Sequence, residues 1–551
     1  MLYFIVSLAI AECPNAEPLK SVFWGDLHVH TAHSLDASLQ GTTQTHQQAY
    51  AFAKGEIETQ GQRLSVPLDF VAITDHAEFL GEIDICSDPN QQGYKSLSCR
   101  LYRSHSRAAF ILLNSTLSKS PKGDPLSLER WRMCRREGVE CDQRAIATWA
   151  EMQSVAEGNN EPCSFTTFHA YEWSASPKTN NLHRNIVFLN RETPKRPISY
   201  FDQPTPEQLW DALDDECIWP CDYLSIPHNS NLSGGRMFVP YSEGDEEELR
   251  QYARKRIEHE PLIEIFQHKG SSECSPFGPD EQCTFEYVPF NNLIADRYNG
   301  RLTQIPTDQD FVRWALKEGL VFEYHTELNP YMYGFVSSTD THLGTPGLVD
   351  EEQFMGHGGA GESSEDGLVD SPYFNPGGLT GVWATENTRA SLFTALKNRE
   401  VYGTSGPRIE LRFFATNTAN DATCGSDDWL HNAYQGTPMG GTGDGYSFFH
   451  VWVSPDEDSN PIQDIQIIKG WLDGTKPEET IYSVKSKSSG LECISWEDPG
   501  PSSGLSFYYA RVLEEPTARW SASGCQKETC PDSIQQLIQE RAWSSPIWIH
   551  N

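Results

Sequence analysis

Six short apolar runs punctuate the chain between residues 69 and 338: Asp69–Thr74, Phe165–His169, Asn185–Leu189, Tyr223–Ile226, Leu262–Phe266 and Tyr333–Ser338. Each is too short for a helix of ordinary length, and longer mixed stretches separate them, so they read as buried strands alternating with helical or irregular connections. Strands that are apolar on both faces belong to sheets covered on both sides, as in α/β proteins. The expectation is a parallel sheet or α/β barrel over residues 21–405, with functional side chains where the strands end.

Two stretches break this rhythm. Residues 82–162 hold cysteines, Arg-rich helical pieces and the sequence Pro-Lys-Gly-Asp-Pro125, which marks an insertion near the site. Residues 350–378 are rich in Gly, Ser, Asp and Glu and read as a long surface loop. Beyond Gly403-Thr-Ser-Gly-Pro407 the pattern becomes strand-like, in Ile409–Phe414, Ser447–Val453, Ile462–Ile468 and Phe507–Val512. A β-sandwich-like domain is expected over residues 406–551.

The first residues form an apolar run ending in Ala9-Ile-Ala11, an A-x-A cleavage pattern, so residues 1–20 read as a signal peptide and lead-in. No positive residue precedes the run, and a buried N-terminal strand stays open as the alternative. Export to the periplasm or medium agrees with fourteen cysteines, many for a reducing compartment. Several lie close together: Cys86 and Cys99, Cys134 and Cys141, Cys217 and Cys221, Cys274 and Cys283, Cys525 and Cys530. No later segment offers the ~20 apolar residues of a membrane span. With 42 basic and 77 acidic residues the formal charge is -35, which argues against nucleic acid as the main partner while a local basic pocket could still bind an anion; the acidity itself assigns no function.

Chemistry gathers beside the apolar runs. Taken in order, the polar residues are His28-x-His30, Asp36, Asp75-His76, Glu172, His183, His228 and Asp340-x-His342. Alternate residues of an extended strand share a face, so a His-x-His pair can reach one ion or straddle two. Histidine with carboxylate suits zinc, manganese or iron rather than calcium or magnesium. No G-x-S-x-G elbow supports a serine nucleophile.

The same phrases resemble the polymerase and histidinol phosphatase (PHP) superfamily, and specifically its branch known as domain of unknown function 3604. The resemblance rests on Gly25-Asp-Leu-His-Val-His-Thr31, Ala170-Tyr-Glu-Trp173, His183-Arg-Asn185, Pro227-His-Asn229, Ser337-Ser-Thr-Asp-Thr-His342, Gly381-Val-Trp-Ala384 and Glu540-Arg-Ala-Trp-Ser-Ser-Pro-Ile547. It implies a distorted seven-stranded (β/α) barrel with two or three divalent transition-metal ions (Zn, Mn or Fe). It also implies a metal set of His28, His30, Asp36, His76, Glu172, His183, His228, Asp340 and His342, with Glu172 bridging. His169 rivals His183, His33 rivals Asp36, and Glu264 stands as either a ligand or an orienting neighbour.

A phosphoesterase that activates water is the implied activity; hydrolysis of another ester or amide, or metal held without catalysis, are the alternatives. Glu172, Asp340 and Arg236 are the catalytic candidates. Arg184, Arg236 and Lys269 are the candidates for holding an anionic substrate, Arg236 because two glycines before it let backbone approach a ligand.

Overall fold

The computed structural model describes residues 13–117, 130–288, 306–358, 368–417, 424, 426–488, 490–500, 504–524 and 534–550. The apolar run at the start, the Pro-Lys-Gly-Asp-Pro125 stretch and the Cys525–Cys530 pair lie outside the described residues.

Ten strands organise the described residues up to 404: β1 (Ser21–Asp26), β2 (Phe70–Ala72), β3 (Thr166–Trp173), β4 (Arg184–Phe188), β5 (Tyr223–Pro227), β6 (Leu262–Gln267), β7 (Gly270–Ser271), β8 (Gly334–Ser337), β9 (Leu379–Ala384) and β10 (Val401–Thr404). The six apolar runs fall on β2 to β6 and β8, and every residue of these strands is buried.

Strand direction departs from the parallel expectation, and the sheet is mixed. β1, β2 and β3 are parallel, in the register Gly25 to Phe70 and Phe70 to Thr166. β6 and β8 are also parallel. β3, β4 and β5 run antiparallel to one another, as do β9 and β1. The reason between β3 and β4 is local: residues 174–183 hold only a single 3₁₀ turn, too little for the crossover that a parallel return needs.

Helices fill the longer connections: α1 (Leu35–Leu39), α2 (His46–Ala53), α3 (Leu80–Ser87), α4 (Leu97–Tyr102), α5 (Arg107–Asn114), α6 (Cys141–Asn159), α7 (Pro206–Glu216), α8 (Glu246–His259), α9 (Val312–Thr326) and α10 (Arg389–Lys397). Thr45 and Gln48 close a capping box at the start of α2, so both orphan amides of that turn are satisfied. α6 lies on β3, with the Trp149 ring 5.9 Å from Tyr171, and is a crossover helix between parallel β2 and β3. The stretch 82–162 thus contains scaffold as well as the added helices α4 and α5.

The remaining strands are β11 (Glu410–Thr416), β12 (Thr437–Pro438), β13 (Thr442–Asp444), β14 (Phe448–Ser454), β15 (Ile462–Asp473), β16 (Lys476–Ser488), β17 (Glu492–Glu497), β18 (Ser506–Glu514), β19 (Thr517–Ala518), β20 (Leu537–Ile538), β21 (Arg541–Ser544) and β22 (Ile547–His550). One sheet runs β12-β11-β14-β17. It packs against the sheet containing β18, with Phe449 4.1 Å from Tyr508 between ring centroids. That second sheet does not stop at residue 405: β21 pairs with β10 (Gly403 to Trp543), so one sheet runs from β13 through β10 and β9 to β5.

A buried charged seam ties the two halves together. Glu273 accepts hydrogen bonds from Arg313 (2.6 Å), Tyr509 (2.7 Å) and Arg511 (2.9 Å) on one oxygen and from the Trp543 indole (2.7 Å) on the other. Asp280 takes Arg313 at 2.9 Å and Arg511 at 3.0 Å. The loop carrying both acids is clamped by the Cys274–Cys283 disulfide. Disulfides also join Cys86–Cys99, Cys134–Cys141 and Cys217–Cys221, cysteines close together in sequence, and two long-range pairs, Cys13–Cys163 and Cys424–Cys493. These pairings agree with an oxidising compartment. Among the described residues no helix is long and apolar enough to cross a membrane.

Candidate metal centre

The centre forms where the chain leaves β1 and β8. Past Asp26 the backbone stays extended, so His28 and His30 share a face. The amide of His30 donates to the Thr341 carbonyl (2.8 Å) and that of Asp340 to the His28 carbonyl (2.9 Å), which staples the two strand ends together. Asp340 sits at φ 52° and Asn229, beside His228, at φ 50°; both are left-handed conformations that an L-residue adopts only where its surroundings enforce them.

Four buried atoms converge there without a hydrogen-bond partner: Nε2 of His28, Nε2 of His30, Oε2 of Glu172 and Oδ1 of Asp340. His30 lies 3.2 Å from the Glu172 oxygen and 3.1 Å from that of Asp340; His28 lies 3.5 and 3.3 Å from the same two atoms. Ligands about 2.0–2.1 Å from a tetrahedral ion stand about 3.3 Å apart. Leaving such atoms unpaired in a dry interior costs free energy, so the donor set fits a cation.

The other candidate ligands surround this core. Oε1 of Glu172 faces His183 Nδ1 at 2.5 Å and His228 Nε2 at 3.2 Å, so its two oxygens look toward different histidines. His76 lies 3.1 Å from Glu172 on one side and 3.1 Å from Asp36 on the other, and His342 stands 3.0 Å from the same Asp36 oxygen. All nine residues named from sequence are therefore gathered in one place. The triads His30–His76–His342, His28–Glu172–His228 and His28–His30–Asp340 each offer atoms close enough for one ion. Glu82 with Cys134 and Cys141 has similar spacing, but both sulfurs are consumed in a disulfide.

A polar jacket fixes the ring orientations. Glu264 lies 3.1 Å from His28 Nδ1, which makes it an orienting neighbour. The Ser34 hydroxyl meets His30 Nδ1 (2.8 Å), Ser174 meets His76 (2.6 Å) and Ser176 meets His183 (2.8 Å). Asp75 takes no part itself; it accepts from Thr31 and Ser34, lies 2.8 Å from His46 Nε2, and holds the loop after His30 in shape. His33 stacks on His46 and His169 pairs with Glu157, so neither rival joins the cluster.

Electrostatics show what the cluster demands. Burial works against charge on His28, yet Asp340 and Glu264, the latter also hydrogen-bonded to the ring, hold its pKa up at about 10. Burial also opposes ionisation of Glu172, and His76, His183 and His228 overcome it and keep the carboxyl well below the usual range. Asp340 behaves likewise, through His28 and Lys269. Burial pushes His228 down to about 3 and His342 to about 4, so these rings stay neutral and keep a lone pair for a cation.

Of the proposed anion holders only Lys269 stands at the site: its ammonium pairs with Oδ2 of Asp340, and it lines the cleft. Arg184 is a correction. It follows His183 along a strand, so it points the opposite way, into a buried ion pair with Glu260 (2.6 Å) between Trp173 and Trp210. Arg236 is a second correction, being exposed and no part of the cleft wall.

Two histidines beside the centre went unnoticed in the sequence. His268, just after β6, lies 3.5 Å from Asp340 and stacks on His357 at 4.3 Å. His357 pairs with Asp370 and lines the cleft with Phe374. The stretch 350–378 is therefore no free surface loop in its described parts: His357, Asp370, Phe374 and Asn375 are buried, and the Asn375 amide donates to the Gln267 and His268 carbonyls. The sequence signal for His268 is Gln267-His-Lys269, a buried run that ends at a histidine.

Comparison with known families matches residues 17–493 and 488–551 to the family described as a protein of unknown function, DUF3604. The chain belongs to DUF3604. Among solved structures the chain is similar to a crystal structure from Bacteroides vulgatus, a two-domain protein containing a predicted PHP-like metal-dependent phosphoesterase; identity is 10%, the match covers 91% of this chain and 93% of that one, and the TM-score is 0.33. At that score it adds no weight to the reading of this DUF3604 chain. No curated protein matches.

Proposed function

We propose that this DUF3604 protein is an exported metal-dependent phosphoesterase of the PHP superfamily, its metal-binding part a distorted seven-stranded (β/α) barrel. The observation supporting this most is the convergence of four unpartnered buried atoms, from His28, His30, Glu172 and Asp340, ringed by five more ligand-type side chains. Two or three divalent ions of zinc, manganese or iron type are held by these nine residues.

The chemistry supplied by ions there is activation of a water nucleophile and neutralisation of charge on the attacking and leaving oxygens. Glu172 spans the site with one oxygen toward His28, His30 and His76 and the other toward His183 and His228. Asp340 keeps Oδ1 free for the centre because Gln267 and Lys269 occupy Oδ2. Lys269, at the rim, is the side chain placed to meet an anionic substrate oxygen. The ligand side chains are largely buried, and the low polarity around them strengthens each of these contacts.

The test is elemental analysis of purified protein together with phosphate release from a generic aryl phosphate. The expected result is about two or three transition-metal ions per chain and metal-dependent turnover. Protein that binds no such ion after metal loading overturns the proposal.

A further inference from the structure

The floor of the cleft is metal-ligand chemistry, but its walls are not. Above Asp36, His76 and Glu172 the lining is hydrocarbon: Leu35, Phe79, Phe110, Leu117, Leu232 and Phe374. Phe110 and Leu117 come from α5 and the residues after it, an addition between β2 and β3 that the crossover itself does not need. They pack on the cluster of Phe79, Ile83 and Trp131 that braces this cover, where the Phe79 ring stacks on Trp131 at 5.1 Å. Phe374 closes another side against His357, 4.3 Å away.

The polar groups in the same walls are largely committed. Ser174 and Ser176 hold the rings of His76 and His183, and the Asn114 amide donates to the Phe110 carbonyl of its own helix. Lys269 is the cationic side chain of Lys or Arg type in the lining, and Glu78 adds a further acid. A sugar or a substrate with several anionic groups would meet few free polar partners, Glu78 Oε2 and the Thr179 and Asn181 side chains among them, and a single Lys or Arg counter-charge in this lining. An apolar group would replace water against carbon surface, worth roughly 25 cal/mol for each Å² removed from water.

We infer that the phosphoester this site takes bears an uncharged hydrophobic organic group, aryl or branched alkyl, seated between Phe79, Phe110, Leu117 and Phe374 while its phosphate faces the histidines. This rests on the phosphoesterase reading above, and it assigns the added α5 region a part in specificity.

The test measures binding of non-hydrolysable phenylphosphonate and methylphosphonate to metal-loaded protein by calorimetry, with benzoate and acetate as phosphate-free counterparts. Hydrolysis of phenyl phosphate and glycerol phosphate is measured in parallel. The aryl ligand is expected to bind at least about tenfold more tightly than the methyl ligand, as burial of a ring in an apolar pocket gives. Phe110→Ala and Leu117→Ala should each erode that preference severalfold, chiefly in KM, while metal content and methylphosphonate affinity hold.

Equal affinity for phenyl- and methylphosphonate, alongside turnover of both esters, overturns the inference and leaves the phosphoesterase reading standing. A benzoate-over-acetate preference without phosphate release from any ester does the reverse: it removes the phosphoesterase reading and retains the apolar chamber.

Discussion

Two regions of this protein bury charge, and they resolve it in opposite ways. In the seam, Glu273 and Asp280 are met by Arg313, Arg511, Tyr509 and Trp543, so every carboxylate oxygen has a donor from the chain itself. In the histidine centre, Glu172 and Asp340 are just as buried but each keeps one oxygen without a partner. The seam is complete as folded; the centre keeps acceptor and donor atoms that a cation would satisfy. A buried charge network therefore marks function less by its burial than by what it leaves unpaired.

Breaking each region should separate the two behaviours. The largest effect is expected from His28→Ala or Asp340→Asn, which should abolish both bound metal and turnover while leaving the far-ultraviolet circular dichroism unchanged; full metal occupancy in either variant, by elemental analysis, would sink the ligand assignment. Next, Arg511→Met strands Glu273 without one of its cations and should cost about 3–5 kcal/mol in urea denaturation. The folded fraction of that variant should still carry metal, because Arg511 bonds Glu273, Asp280 and Gln466 and none of the nine candidate ligands. Glu264→Gln, which weakens the orientation of His28, should reduce metal affinity about 10–100-fold with little change in the denaturation midpoint.

The smallest effect is one of pH. Burial raises the Glu273 pKa, but Arg511 and Arg313 outweigh it and hold the group at about 2, below its ordinary 4.5. A depressed carboxyl stabilises the fold above its unfolded pKa and loses that contribution as pH falls from about 4.5 through 2, with a slope of at most about one proton. Glu273→Gln should flatten that part of the stability-versus-pH curve. An unaltered slope would show that other carboxyls dominate it.

The histidine centre was legible because its ligands sit beside apolar runs, and strand ends leave a visible mark: a buried run that stops at His, Asp or Glu. His28, His30, His76, His228 and Asp340 all follow that rule. Arg184 was misplaced because adjacency in sequence means opposition across a strand. His268 obeys the same rule, directly after β6, whereas the nearness of His357 comes from the return of a polar, glycine-rich stretch over β6, which no local pattern encodes. The antiparallel course of β3, β4 and β5 was hidden for a similar reason, since an apolar run looks the same in either direction. Apolar periodicity found the strands after residue 405, but it carried no sign that β21 would return to β10.

That return has a cost in time. Because β10 finds its neighbour about 140 residues later in β21, the central sheet has no completed edge until residue 544 has been synthesised. Until then β10 offers an open row of amides and carbonyls to any passing strand. Truncated forms ending anywhere between β10 and β21 are accordingly expected to aggregate rather than to yield a working half, and refolding from denaturant should be slow and sensitive to protein concentration.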